Sequence, residues 1–138
     1  MLRRLACLVA VLTAHVTPGH TKGNTTWAWQ SCEDKRCLHM VDVGSLSAPD
    51  YQLIANPKYP DIVKDYEHSF AMVAALPCDI ALAPHPDMVD MWARVDKRNQ
   101  GATDALIDRT LCRTYANDAH ESFEAKLATQ RANAAAAK

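Results

Sequence analysis

The first part of the chain alternates apolar and polar residues with the two-residue period of β-strands. Residues 11–16 are apolar and partly β-branched, which predicts a first strand. Residues 25–30, TTWAWQ, predict a second strand that carries Trp27 and Trp29 on one face. After a polar hairpin tip, the segment 37–43, CLHMVDV, predicts a third strand. The chain therefore opens with three strands joined by short turns.

A helical period replaces this alternation further along the chain. Residues 44–61 contain repeated Asn/Asp and Pro breaks and predict a long irregular loop, a type of segment that is usually functional or disordered. Residues 60–76 predict a helix with Pro60 in its first turn. One face of that helix carries large apolar residues at helical spacing, namely Ile62, Tyr66, Phe70 and Val73.

The C-terminal part of the chain predicts one more strand and two more helices. The segment CDIALAPHP predicts a short buried strand that ends at Pro84, and a helical stretch follows near residues 87–95. A last helix is predicted at about 114–136, before the alanine-rich end frays, with one face formed by Tyr115, Ala119, Phe123 and Leu127. Strands followed by helices indicate a layered α/β architecture.

Six histidines are the first candidates for metal chemistry. His20 lies in the turn PGHTKGN after the first strand, and His85 lies in a Pro-containing turn after the fourth. Functional residues collect on loops at strand ends, and zinc binds neutral imidazole nitrogens at about 2.0–2.1 Å. The alternative for both residues is a solvated surface side chain, and the pattern alone leaves that open. Structural or surface positions fit His39, His68 and His120.

The charge of the chain is nearly balanced, with 15 basic and 16 acidic residues and a formal net charge of −1. Such a balance provides neither a basic field for nucleic acid nor a polybasic patch for a membrane surface. We therefore predict no nucleic-acid partner and no membrane partner.

The N-terminal sequence MLRRLACLVAVLTA has the features of a short secretory signal. Arg3 and Arg4 supply the positive end, an apolar run follows, and Ala14 is a small residue suited to cleavage. The competing interpretation is that LVAVLTAHV forms a buried strand leading to His20. Cleavage after Ala14 would cut that strand, so the two interpretations exclude each other. The apolar run is too short to span a membrane.

Cysteine usage bears on the cellular compartment. No two cysteines form a C-x-x-C pair, which argues against a four-cysteine zinc site. Two disulfides and one odd thiol fit better, and they require an oxidising compartment. The five cysteines are Cys7, Cys32, Cys37, Cys78 and Cys112.

Several motifs in one order resemble a known enzyme family. Residues 12–29, LTAHVTPGHTKGNTTWAW, resemble the metal-binding turn of subclass B3 metallo-β-lactamases, which follows the pattern TPGHT-x-G-[ST]-T-x-W. Residues 44–86 carry SLSAP, NP-YP, DY--SF, ALPCD and PHP in the order found in the same family. The resemblance covers residues 12–130, and the combination is far more specific than TPGHT alone.

This resemblance implies zinc-dependent hydrolysis of β-lactam antibiotics on an αββα sandwich. Residues 12–138 would form the C-terminal half of that sandwich, a mixed sheet with flanking helices, whereas residues 1–11 do not match. The complete family enzyme holds two zinc ions. By position, His20 resembles a ligand of the first zinc and His85 a ligand of the second.

The resemblance also implies roles for serines and cysteines. Ser45 and Ser47 resemble the serines that hold the β-lactam carboxylate, directly or through water, and the alternative is that they only cap a turn. Cys78 and Cys112 lie where the family places a disulfide, and Cys32 and Cys37 resemble the small hairpin disulfide of some subclass B3 members. A periplasmic or secreted location follows from the disulfides and the signal-like N-terminus.

Two departures from the family pattern change the expected activity. The sequence contains no H-x-H-x-D-H motif, which in the family supplies two ligands to each zinc. Gly44 stands where many members have an aspartate before the first serine. One histidine from each site is too few for a catalytic zinc, which normally has at least three protein ligands. We therefore expect a truncated chain that is inactive alone.

Two alternative functions remain at this stage. The chain could be a non-catalytic half-domain or pseudoenzyme that pairs with another chain. It could also belong to another hydrolase of the same fold, acting on thioesters, lactones or phosphoesters. The combination of SLSAP, ALPCD and PHP favours the β-lactamase branch over that second alternative. The sequence does not predict which β-lactams are preferred or the oligomeric state.

Overall fold

The computed structural model describes residues 11–137. The signal-like segment therefore falls mostly outside the described residues, as do Cys7 and nearly all of the unmatched segment 1–11. Among residues 11–137, no helix combines the length and the apolar character needed to cross a membrane.

A four-stranded mixed sheet forms the centre of the described part of the fold. Its strands are β1 (Thr13–Val16), β2 (Thr25–Glu33), β3 (Arg36–Asp42) and β4 (Ile80–Leu82). They lie side by side in chain order, with β1, β2 and β3 mutually antiparallel and β4 parallel to β3. The predicted mixed sheet of an α/β fold is confirmed. The predicted hairpin tip is too long, because the β2–β3 pairing continues to Glu33 and Arg36 and leaves only two residues in the turn.

Helices follow the strands, as the pattern predicts, with shifted bounds. They are α1 (Ile62–Ala75), α2 (Met91–Asn99) and α3 (Leu111–Ala136). Helix α1 begins after Pro60, so the placement of that proline inside the first helical turn is wrong. A 3₁₀ turn over Pro86–Val89 precedes α2, and the left-handed backbone of Asp90, with φ of 51°, separates the two.

Helix α3 is longer at its start than the pattern predicts. The Asp108 carboxylate accepts hydrogen bonds from the backbone N–H and the hydroxyl of Thr110 at 3.0 and 2.7 Å. This side-chain turn directly precedes the helix and lets it begin at Leu111 rather than near 114. The alanine-rich segment stays helical through Ala136, contrary to the expected fraying, which agrees with the high helix propensity of alanine.

The core lies between one face of the sheet and the helix pair α1 and α3. The aromatic rings of Tyr66 and Phe70 on α1 lie 4.8 and 5.5 Å from the ring of Phe123 on α3. Val41 and Ala81 contribute the sheet side of this core. All four residues of the predicted apolar face of α1 are buried, so the helical period identified that face correctly.

The opposite face of the sheet is open to solvent. On β2, Thr26 is completely buried whereas Trp27 is 41% exposed, which is the alternation expected of a strand with one covered face. Val16, on the neighbouring strand β1, is 57% exposed on the same side as Trp27, since it pairs with Thr25. An apolar strip therefore lines the side of the sheet that faces away from the helices.

Two disulfides lie within residues 11–137. Cys32 and Cys37 are opposite one another on β2 and β3 near the hairpin tip. Cys78 and Cys112 join the segment before β4 to the first turn of α3. The second disulfide links positions 34 residues apart, a loop length for which chain-entropy arguments give about 3–4 kcal/mol of stabilisation.

Candidate metal and substrate site

The segments that follow three of the strands lie at the same end of the sheet. Strands β1 and β3 are both antiparallel to β2, and β4 is parallel to β3, so β1, β3 and β4 run in the same direction. His20 follows β1, Ser45 and Ser47 follow β3, and His85 follows β4. The fold thus brings the four predicted metal and substrate residues to the same end of the sheet.

The turn that carries His20 is shaped by close packing on α1. Gly19 has φ of 141°, and a Cβ at this position would lie 2.7 Å from the ring of Tyr66. Only glycine combines that backbone angle with that approach. The Ser69 hydroxyl donates a hydrogen bond to the Pro18 carbonyl at 2.6 Å and fixes the turn to the same helix.

The imidazole of His20 is held in one orientation. Its Nδ1 lies 2.8 Å from the Ser47 carbonyl oxygen. A carbonyl oxygen can only accept, so this contact, which is shorter than the 3.4 Å contact of Nδ1 with the Ser47 hydroxyl, assigns the proton to Nδ1 and leaves the lone pair of Nε2 available. The Tyr66 hydroxyl donates to the same carbonyl at 2.7 Å, and the Tyr51 hydroxyl donates to the His20 carbonyl at 2.9 Å. Burial raises the pKa of Tyr66, which keeps its hydroxyl proton in place for this bond.

The two predicted serines form a pair beside this histidine. The Oγ atoms of Ser45 and Ser47 lie 3.1 Å apart, and both side chains are half-buried. Leu46 between them is buried in the core and anchors the segment. Two neighbouring hydroxyls at the mouth of the site are suited to hydrogen-bond an anionic group of a ligand.

Helix α3 holds the serine loop through contacts that the sequence analysis did not identify. The Lys126 ammonium donates to the carbonyls of Ala48 and Pro49. The Gln130 side chain accepts from the backbone N–H of Leu53 at 2.8 Å and donates to the Tyr51 carbonyl at 2.7 Å. These partners are 77 to 79 residues apart in sequence, so no local pattern signals them.

The carboxylate of Asp79 fixes β4, the strand that leads to His85. The His85 side chain is exposed. Asp79 accepts the backbone N–H of His39 at 2.8 Å and the Arg109 guanidinium at 2.9 Å. The His39 N–H and then the Arg109 guanidinium hold the pKa of Asp79 down at about 2. This aspartate therefore joins β3, β4 and the start of α3, and the sequence analysis did not single it out.

Comparison with known proteins extends these observations. No protein-family model matches the chain. Among solved structures, the Rm3 metallo-β-lactamase superposes with a TM-score of 0.85 at 36% sequence identity. The match covers 92% of this chain and 48% of the Rm3 chain. BJP-1, a subclass B3 metallo-β-lactamase of Bradyrhizobium japonicum, gives a TM-score of 0.84 at 33% identity, over 95% and 50%. The FEZ-1 metallo-β-lactamase from Legionella gormanii gives a TM-score of 0.84 at 35% identity, and the match covers 88% of this chain and 47% of the FEZ-1 chain.

The chain matches one half of a subclass B3 metallo-β-lactamase. It spans about half the length of each of these solved structures. This coverage is consistent with the predicted C-terminal half of the αββα sandwich, and the family resemblance read from the motifs is confirmed.

The zinc ions implied by the metallo-β-lactamase fold can be compared with the donors that this chain offers. His20 fits a metal ligand, because its Nε2 is free while its Nδ1 is fixed by a backbone carbonyl, the usual arrangement of a metal-binding imidazole. His85 follows a strand that ends at the same edge. Within residues 11–137, however, neither histidine belongs to a group of three potential metal donors. The described residues therefore fit part of a zinc site and not a whole one.

One group of three potential donors lies elsewhere, between α1 and α3. Ligand atoms of Glu67, His120 and Glu124 lie within 4.8 Å of one another. The His120 Nε2 is 3.0 Å from a Glu67 carboxylate oxygen, and its ring stacks on Phe70 with a centroid distance of 4.9 Å. These contacts join the two helices through an interhelical hydrogen bond and ring stacking.

Proposed function

We propose that this chain supplies the C-terminal half of a zinc-dependent β-lactam hydrolase and is inactive without the other half. The observation that carries the proposal is the contact between His20 Nδ1 and the Ser47 carbonyl. It leaves the Nε2 of a fixed imidazole available to a metal ion, and the Ser47 hydroxyl lies 3.4 Å from Nδ1 of the same ring, so a potential metal ligand and potential anion-binding hydroxyls are close together.

Each residue at this edge has a role in the proposal. His20 would hold one zinc ion and His85 the other, and Ser45 and Ser47 would bind the carboxylate of a β-lactam. Bound zinc would polarise the scissile carbonyl as a Lewis acid. The remaining zinc ligands would come from a polypeptide with the H-x-H-x-D-H motif, because these 138 residues contain no such motif and a catalytic zinc normally has at least three protein ligands.

The cellular location belongs to the same proposal. The two disulfides of the structure fit an oxidising compartment. We propose a periplasmic or secreted protein on that ground.

The alternative is a non-catalytic half-domain, and a specific observation favours it as well. The donor set that residues 11–137 place around His20 and His85 is too small for a catalytic zinc. A chain of this kind could bind a partner or a ligand without hydrolysis. A hydrolase of the same fold with another substrate is the third possibility, and a substrate screen on the completed enzyme would identify it.

Complementation tests the proposal. The chain is refolded with zinc, alone and together with the N-terminal half of a subclass B3 enzyme such as BJP-1, and nitrocefin hydrolysis is measured with and without a chelator. We expect no turnover above about 1 s⁻¹ from the chain alone and chelator-sensitive turnover from the mixture.

Histidine variants provide the controls. In the mixture, His20→Ala and His85→Ala should each lower turnover by at least about 100-fold. His68→Ala, which removes an exposed histidine from α1, should have no effect. Chelator-sensitive turnover by the chain alone would refute the proposal. A complex that forms and binds zinc but hydrolyses no β-lactam would support the non-catalytic alternative.

A further inference from the structure

The side chain of Asn24 joins the two loops of the candidate site. Its Nδ2 donates to the Thr17 carbonyl at 2.7 Å and to the Ser45 carbonyl at 2.9 Å. Thr17 begins the turn that carries His20, and Ser45, 21 residues after Asn24, begins the serine loop. Both amide hydrogens are used, so the primary amide makes a bridge that a hydroxyl, with a single hydrogen, cannot make.

The backbone of Asn24 closes the same turn. The Thr17 N–H donates to the Asn24 carbonyl at 2.9 Å, and the Asn24 N–H donates to the Thr21 carbonyl at 3.2 Å. Below the bridge, the fully buried hydroxyls of Thr17 and Thr26 lie 3.1 Å apart, and the second accepts the Gly44 N–H at 3.2 Å. The bridge is therefore built on a rigid base.

The bridge requires a residue without a side chain at position 44, which is Gly44. A Cβ at this position would lie 2.6 and 2.8 Å from the side-chain oxygen and nitrogen of Asn24, and 2.8 Å from the Thr25 carbonyl oxygen. Real Cβ atoms do not approach so closely, so a side chain at 44 would displace the amide. This accounts for the glycine that stands where many subclass B3 members have an aspartate. Asn24 itself occupies a position where the motif has serine or threonine.

We propose that Asn24 is a positioning residue for the metal-binding edge and acts through the serine loop. The bridge sets the distance between the His20 turn and Ser45. Ser47 lies two residues after Ser45, and its carbonyl oxygen accepts the hydrogen bond from His20 Nδ1. Asn24 thereby determines which nitrogen of His20 is free for a metal. The role rests on the proposed function, because His20 is a metal ligand only under that proposal.

The test follows the His20 imidazole by nitrogen NMR in the 138-residue chain without metal, at about pH 8, above the ordinary pKa of a histidine side chain. In the unaltered chain we expect the proton on Nδ1. Asn24→Asp has the same shape but presents oxygen to both carbonyls, so the proton should shift toward Nε2. Gly44→Ala keeps Asn24 and pushes its amide away, so it should cause the same shift by an independent route.

Matched controls separate this role from a general loss of stability. Gly23→Ala adds a Cβ in the same turn with nothing within 4 Å of it. Asn56→Asp removes an amide that donates to the Gln52 carbonyl at 2.8 Å within its own loop. Both should leave the His20 proton on Nδ1, even where they lower the melting temperature.

Each outcome decides the question. If His20 keeps its proton on Nδ1 in Asn24→Asp and in Gly44→Ala, the positioning role is refuted while the proposed function stands. If the unaltered chain has the proton on Nε2, the observation behind the proposed function fails as well. Should Asn24→Asp not fold, Asn24→Ser is measured in its place. If both Asn24 variants fail to fold, Asn24 is a residue of the fold and the positioning role is refuted.

Discussion

The uncovered face of the sheet leads to a quantitative prediction about association. Leu12, Val16 and Trp27 are 55%, 57% and 41% exposed. Full burial of such a side chain contributes about 1.5–3 kcal/mol, so three of them at half exposure forgo about 3 kcal/mol in total. Two copies that cover each other would regain about 6 kcal/mol before the entropic cost of association.

That free energy indicates weak self-association rather than a tight dimer. We expect the 138-residue chain to stay monomeric at micromolar concentrations and to begin to associate only at millimolar concentrations and above, because an entropic cost of about 4 kcal/mol or more leaves at most about 2 kcal/mol of net free energy. Sedimentation velocity over a hundredfold concentration range measures the association. Adding the N-terminal half of a subclass B3 enzyme should replace self-association by a one-to-one complex, because in the proposed αββα sandwich a second sheet would cover the same face.

Tryptophan variants locate the effect. Trp27→Thr retains strand propensity and removes the largest exposed side chain from the uncovered face, so it should reduce self-association. Trp92→Thr removes a more exposed tryptophan, at 61%, from α2 and should leave association unchanged. Strong self-association at micromolar concentrations, or no difference between the two variants at millimolar concentrations, would refute the reasoning.

Three further predictions concern stability. Non-reducing peptide mapping should recover the Cys78–Cys112 link, and replacing both with alanine should lower the free energy of unfolding by about 3–4 kcal/mol. The pKa of Asp79 in the folded chain is about 2, below its ordinary value of 3.8, so its ionised form stabilises the fold by about 1–2 kcal/mol. This stabilisation is complete above about pH 5 and is lost as the pH falls toward 2. Asp79→Asn should remove that part of the pH dependence of the free energy of unfolding. Phe123→Ala should cost about 3–5 kcal/mol in chemical denaturation, since the ring is 2% exposed and packs on two aromatic rings.

Local periodicity accounts for what the sequence predicted well. The buried face of α1 follows from apolar residues three and four positions apart, and the faces of β2 follow from the alternation of Thr26 and Trp27. The bounds of α3 were harder to predict, because the turn that begins it depends on the side chain of Asp108. That signal is a single Asp–x–Thr spacing, which occurs in many loops without a helix behind it.

Long-range hydrogen bonds account for what the sequence did not predict. Asp79 and Lys126 are ordinary charged residues in the sequence, and their partners lie in other elements of the fold. Asn24 does differ from the motif, but a role for this difference is identified only by the hydrogen bond from its side chain to the Ser45 carbonyl. Residues of this kind become identifiable once the topology has placed distant segments side by side.

The arrangement around His20 also bears on how a half-site can be ordered before its partner ligands arrive. The contacts that orient the ring, from the Ser47 carbonyl, the Tyr66 hydroxyl and the Asn24 bridge, all lie within residues 11–137. The three belong to the turn, the serine loop and α1, which pack on the covered side of the sheet. A completing half would therefore need to bring only its own ligands, and little of its binding free energy would go into ordering this edge. The orientation of His20 should accordingly be the same in the isolated chain and in the complemented complex, and the nitrogen NMR experiment can compare the two directly.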